Sequence, residues 1–150
     1  MDTVTYPAAE VVQFFNNYLT PLRFDLSRDA VHEKHIHIWT PTLAVLDLQG
    51  NEIQKSIGFF DPDELIASLH LGLAKVHMDA EEYDTAEVHL KNLFRSFQDS
   101  RMIPEAIYFN GVNLYKWKDD PGHLKTAYEK LLKEHPQSTW SRRADPYRLI

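Results

Sequence analysis

The chain has no cysteine in 150 residues. Disulfides, thiolate metal sites and a cysteine nucleophile are therefore excluded. Glycine is scarce as well, five in all, and no glycine-rich stretch of the kind that cradles phosphate occurs. No apolar run reaches the ~18 residues a membrane-spanning helix needs, so none is expected. Basic residues are outnumbered: 16 Lys and Arg against 22 Asp and Glu leave a net charge of −6. That balance argues against non-specific binding to nucleic acid or to anionic membranes. The opening Met1-Asp2-Thr3-Val4-Thr5 has no basic region followed by an apolar stretch. The expectation is no signal peptide and a cytoplasmic location.

What is present suffices for a core, with 43% hydrophobic and 12% aromatic residues, arranged as one domain or two small ones. Thr42 to Leu48 is a nearly continuous apolar run, which suits a strand covered on both faces. Leu48-Gln49-Gly50-Asn51 is turn chemistry, with Gly50 able to take a positive φ. In Glu52 to Ile57 the apolar Ile53 and Ile57 share one face of a half-buried strand. Together these segments predict a β-hairpin, opened by Pro41 where a missing N–H costs no ladder bond. Asp61-Pro62-Asp63-Glu64 then supplies an N-cap, a proline at the first helical position and a glutamate at the third.

Upstream, Tyr6 to Tyr18 predicts a helix with apolar positions 11, 12, 14, 15 and 18. Residues 19–26 read as a strand with Leu22, Phe24 and Leu26 on one face. Downstream, four amphipathic segments follow: Pro62 to Met78, Glu82 to Phe97, Pro104 to Lys118 and Pro121 to His135. Their expected inner faces include Ala86, Leu90 and Leu93, then Ile107 and Gly111, then Leu124, Ala127, Leu131 and Leu132. A short piece over Thr139 to Asp145 precedes Pro146.

The order of these motifs over residues 1–71 resembles the second half of a thioredoxin-like domain. In that family Thr-Pro-Thr before an apolar strand is where a cis-proline stands, and Thr40-Pro41-Thr42 is similar to it. The entry Gly58-Phe59 through Glu64-Leu65 resembles the family's start of its last helix. The resemblance implies a cis Thr40–Pro41 bond; read from the residues alone, a trans proline opening an ordinary strand is the alternative. It also begins just after the point where the family places Cys-x-x-Cys. The central strand and both redox cysteines would then be missing, leaving strand edges unpaired. Three resolutions are open: a late start within a longer protein, direct closure of the orphan strands, or a strand supplied by a partner or second copy.

Residues 72–150 resemble tetratricopeptide-like helical repeats. Leu93-Phe94 and Leu131-Leu132 recur about 38 residues apart, against roughly 34 in that family. Tyr83-x-x-Ala86 is similar to its turn into a second helix, while Pro121 and Leu124 depart from that pattern. A generic helical hairpin extension is the alternative. The expected fold is thus α/β (α+β), a truncated thioredoxin-like sheet over 1–71 with a helical-hairpin extension over 72–150.

For function, the sequence offers no catalytic constellation and implies no cofactor. The resemblance implies that Trp39, Thr40 and Pro41 sit where an extended peptide pairs; core packing is the other reading of Trp39. Tyr115 and Trp117 are candidate aromatic anchors for a partner. His32, His35 and His37 form the only concentrated set of metal-ligating residues, with solvent-facing imidazoles as the plain reading. Asp61, Asp63 and Glu64 are an acid cluster better explained by helix capping. The expectation is a redox-inactive protein-interaction adaptor or accessory subunit, partnered by another protein or by itself and not by nucleic acid or membrane. An oxidoreductase fragment whose cysteines lie upstream of Met1 is the competing expectation.

Overall fold

The computed structural model describes residues 1–23 and 39–150. Helix α1 (Ala9–Tyr18) is followed by strands β1 (Thr42–Leu46) and β2 (Glu52–Ile57). Helices α2 (Pro62–Asp79), α3 (Tyr83–Ser96), α4 (Ile103–Lys118), α5 (Gly122–Glu134) and α6 (Thr139–Ala144) complete the chain, with a final 3-10 turn at Asp145–Leu149. The architecture is mixed α/β and mostly helical, with a two-stranded antiparallel sheet among the described residues.

The hairpin follows from its turn. The Asp47 carboxylate accepts from the backbone N–H groups of Gln49 (2.9 Å) and Asn51 (2.8 Å), while Gly50 takes φ +79°. These bonds, led by the one from the Asn51 side chain, hold the Asp47 carboxyl below its usual range. Thr42 pairs with Ile57, Leu43 with Ser56 and Val45 with Gln54, before a bulge at Val45/Leu46. This register sends Leu43, Val45, Gln54 and Ser56 toward α2, since paired residues share a face. The inner side of β2 is therefore polar. Gln54 donates to the Ser68 carbonyl (2.8 Å), and Ser56 and Ser68 hydroxyls lie 3.3 Å apart. Ile57, expected on a half-buried face, is exposed. β1 likewise is not covered on both faces: Val45 is buried and Ala44 is exposed.

The expected strand over 19–26 is not found in its described part, since residues 19–23 form no regular element and Leu22 is exposed. The rest of that expectation, with Phe24 and Leu26, lies outside the described residues.

Helix α2 begins as the sequence dictates. Asp61 caps it by accepting from Glu64 N–H (2.9 Å), and Pro62 stands in the first turn. Asp61→Ala should cost about 1 kcal/mol, readable as a shift in urea midpoint. The Glu64 carboxylate accepts from Ser100 Oγ (3.1 Å) and Arg101 N–H (2.9 Å). It thereby ties the start of α2 to the α3–α4 connection.

From Leu65 to Ala74 every residue of α2 is buried, as befits a helix covered all round. Leu65, Ile66, Leu69 and Leu73 join Val11, Phe14 and Val45 in one core. Ala67, Leu71, Ala74 and Met78 join Leu90, Leu93 and Leu131 in a second. One helix thus serves both the sheet and the helical array, and the expected 71/72 boundary falls inside it.

Two small residues permit the close crossings. A Cβ at Gly72 would meet Val45 Cγ2 at 2.7 Å, and one at Gly111 would meet Ala127 Cβ at 2.5 Å. The helices pack as hairpins, α2 on α3 and α4 on α5, with α6 against α5. Leu124, Ala127 and Leu131 face inward as expected, whereas Leu132 is exposed. Ser138 caps α6, and Ser141 Oγ donates to the Leu131 carbonyl (3.1 Å), joining α6 to α5. No helix among the described residues is long and apolar enough to cross a membrane.

Candidate binding surface

The start of β1 and the end of β2 meet at one end of the hairpin. There the Thr40–Pro41 peptide is cis, and the Pro41 carbonyl accepts from Gly58 N–H at 2.9 Å. Thr42 Oγ1 donates to the Trp39 carbonyl, bracing the turn that precedes the strand. Around this junction three large apolar side chains stand in solvent: Trp39 is 66% exposed, Ile57 59% and Phe59 58%. Trp39 is thus no core residue. Phe60, by contrast, is buried, and its carbonyl accepts from Thr5 Oγ1 at 2.6 Å.

β1 has a partner strand on one side only among the described residues. Its other edge has no strand neighbour among the described residues, and an edge of that kind is a template for an added strand. Neither Ile57 nor Phe59 is among the contact residues expected from sequence. Position in a strand marked Ile57 as inward, and only the register shows that it faces out.

Tyr115 and Trp117 do not join this surface. They lie in the last turn of α4, partly exposed, with Lys118 Nζ 3.4 Å from the Trp117 ring centroid. Arg101, which approaches the Phe59 carbonyl (3.5 Å), precedes the other end of α4, about 20 Å away at 1.5 Å per residue. Tyr108 packs against the helical core, its hydroxyl 2.8 Å from that of Tyr147. Burial first, then that bond, pushes the Tyr147 hydroxyl above its ordinary pKa.

His32, His35 and His37 lie outside the described residues. Among the described residues no group of three or more His, Cys, Asp or Glu is placed to hold a metal ion. A different histidine cluster emerges instead. His70 of α2 and His89 of α3, both buried, bring their Nδ1 atoms to 3.0 Å. His77 stacks on His89 (5.4 Å, 10°) and bonds Glu82 through Nδ1 at 2.6 Å. Phe14 and Tyr18 of α1 and Phe97 close the surroundings. Burial, reinforced by the neighbouring imidazole, lowers both His70 and His89 to about 4. A neutral pair in which one ring donates and the other accepts fits this geometry. The only sequence signal was the seven-residue spacing of His70 and His77 along one helix; the partner on α3 becomes visible once the hairpin is folded.

Comparison with protein-family models, with curated proteins and with solved structures gives no match for this chain.

Proposed function

We propose that the chain is a redox-inactive protein-interaction module, a truncated thioredoxin-like hairpin carried on a tetratricopeptide-like helical array, acting as an adaptor or accessory subunit. The observation that carries the reading is the exposed trio Trp39, Ile57 and Phe59 beside an edge of β1 that has no strand neighbour among the described residues. Exposed apolar patches mark interaction sites, and these three side chains belong to residues at the same end of the hairpin. An open strand edge next to them adds main-chain hydrogen bonds, which is how β-augmentation combines affinity with side-chain selectivity. Tryptophan and tyrosine are the commonest anchors of such contacts. The absence of cysteine leaves the chain's own residues without dithiol chemistry.

A photo-crosslinking amino acid at position 39, introduced in the native host, tests this. The reading expects a discrete adduct, either with a second copy or with one companion protein. That adduct should disappear in Phe59→Asp and persist in Leu132→Asp, which alters an exposed position on α5. An adduct indifferent to Phe59→Asp, or none at all, contradicts it.

The second reading, part of a thiol-disulfide oxidoreductase with its cysteines upstream of Met1, is favoured by the same open edge. A preceding strand of the same polypeptide would pair there. A coding region before Met1 with a strand pattern ending in Cys-x-x-Cys selects that reading.

A further inference from the structure

The buried histidine pair plays no part in the proposed binding surface, and its geometry limits how much charge it can hold. His70 Nδ1 and His89 Nδ1 lie 3.0 Å apart, a gap that holds one hydrogen. In the neutral pair one ring donates that hydrogen and the other accepts it. A first proton can join the far nitrogen of the donating ring without disturbing the bond. A second must go to the accepting Nδ1. Two N–H groups then face each other across a gap with room for one hydrogen, and two imidazolium charges repel. The doubly charged pair cannot keep this spacing.

The surroundings decide where it gives way. Between α2 and α3, Leu71, Ala74, Leu90 and Leu93 are fully buried in the helical core, so the two helices that carry the rings are held together. Further along α2, His77 stacks on His89 and opposes a positive charge there. The Glu82 carboxylate is bonded to His77 Nδ1 at 2.6 Å. At the end of α3, Phe97 offers His70 an apolar ring. From α1, Phe14 meets His70 edge-on at 4.8 Å and Tyr18 meets His89 edge-on at 5.4 Å. Tyr18 is the last residue of α1, and the carbonyls at a helix C-terminus favour one nearby cation. They do not relieve the collision that the second proton brings.

Helix α1 is the element able to yield. It has 10 residues and no side-chain cap at its N-terminus, and among the described elements its backbone packs on α2 alone. Val11 and Phe14 are its buried anchors, while Tyr18 is half-exposed. The segment ahead of it is pinned separately, since Thr5 Oγ1 donates to the Phe60 carbonyl at 2.6 Å.

We propose that α1 is an acid-released latch: when both His70 and His89 are charged, α1 swings off the pair while α2 to α6 stay packed, uncovering the part of α2 that Val11 and Phe14 cover. Burial, then the neighbouring imidazole, holds both rings to about 4 while α1 is docked. Rings released into water return toward about 6.5. Protons therefore bind the released form more tightly, and falling pH favours it.

Because the chain has no cysteine, a single introduced one carries a nitroxide without competition. Val12→Cys labels an exposed position of α1 and Leu132→Cys an exposed position of α5. Electron paramagnetic resonance reads each label as the pH falls. The label at position 12 should lose its immobilised component around pH 4, where the rings charge, and more steeply than a single-proton titration. The label at position 132 should keep its neutral-pH spectrum through that step. With His70→Leu/His89→Leu in the same chain, position 12 should stay immobilised. Imidazole nitrogen shifts by NMR, which need no substitution, should show both rings charging as α1 leaves. The proposal is overturned if position 12 stays immobile throughout, if it loosens before both rings charge, if the double variant releases it equally, or if position 132 loosens with it. That last outcome is global unfolding rather than a latch.

Discussion

Lowering the pH from 6.5 to 4 is expected to destabilise the fold steeply, before most carboxylates titrate. His70 and His89 carry folded-state values of about 4 against an ordinary 6.5. Between those limits the unfolded chain binds protons that the folded chain refuses, so stability falls as pH falls. Above 6.5 neither state is protonated at these sites and the effect is absent. Each histidine contributes a slope of at most about 1.4 kcal/mol per pH unit.

Replacing both rings tests the cause. In His70→Leu/His89→Leu the buried pair disappears as a unit, so neutral-pH stability changes little. The excess acid slope should vanish. His70→Leu alone leaves His89 Nδ1 buried without its partner and should cost about 1–3 kcal/mol at neutral pH. Urea denaturation across the window reads all three proteins. A wild-type slope no steeper than that of the double variant would contradict the assignment.

The second large effect is steric. In Gly111→Ala the new Cβ would stand 2.5 Å from Ala127 Cβ and 3.1 Å from the His123 carbonyl oxygen. Helix propensity favours Ala over Gly by about 1 kcal/mol, but overpacking costs about 1–3 kcal/mol or more. The first neighbour is a Cβ and the second is backbone, and neither can rotate away, so the steric term wins. Gly111→Val, with a bulkier side chain and no propensity gain of that size, should lose about 3 kcal/mol or more. At this chain length each kcal/mol lowers Tm by about 2–4 °C. Adding Ala127→Gly to Gly111→Ala should recover part of the loss, with a coupling of about 1 kcal/mol or more in the double-mutant cycle. A neutral Gly111→Ala would mean that α4 and α5 do not approach as closely as described.

These two effects also mark where sequence reading stops. Local signals were legible: the Asp61–Pro62 cap, the Gly50 turn, the limits of α2 to α6 to within a residue (α1 starts at Ala9, three residues after the expected Tyr6), and Gly111 as a small residue on a packed face. Each is written within one turn or one helix. The thioredoxin-like resemblance implied the cis bond at Thr40–Pro41, which composition and spacing do not carry. What depends on pairing between distant elements was not legible. Gly72 is needed because Val45 crosses α2 there. Gln54 and Ser56 face inward because Ser68 answers them, a reversal of the apolar-in pattern suggested by Ile53 and Ile57. Glu64, placed to cap its own helix, instead serves the α3–α4 connection.

The candidate surface divides in the same way. Trp39, Thr40 and Pro41 were marked by their local motif. Phe59 and Ile57 complete the patch only once the hairpin closes, and Arg101 reaches the Phe59 carbonyl from more than forty residues away. Tyr115 and Trp117, chosen for residue type alone, belong to a separate part of the surface.

The edge of β1 that has no strand neighbour among the described residues is the docking edge we propose, and amide hydrogen exchange over residues 42–46 tests that proposal most directly. In dilute, monodisperse protein the outward-facing amides of β1 should exchange nearly as fast as those of a loop, while those paired to β2 stay protected. In the complex isolated by crosslinking at position 39, the outward amides should slow by about 100-fold or more, as a new ladder closes over them. Full protection of every β1 amide in the isolated monomer, with no change on assembly, would contradict the account.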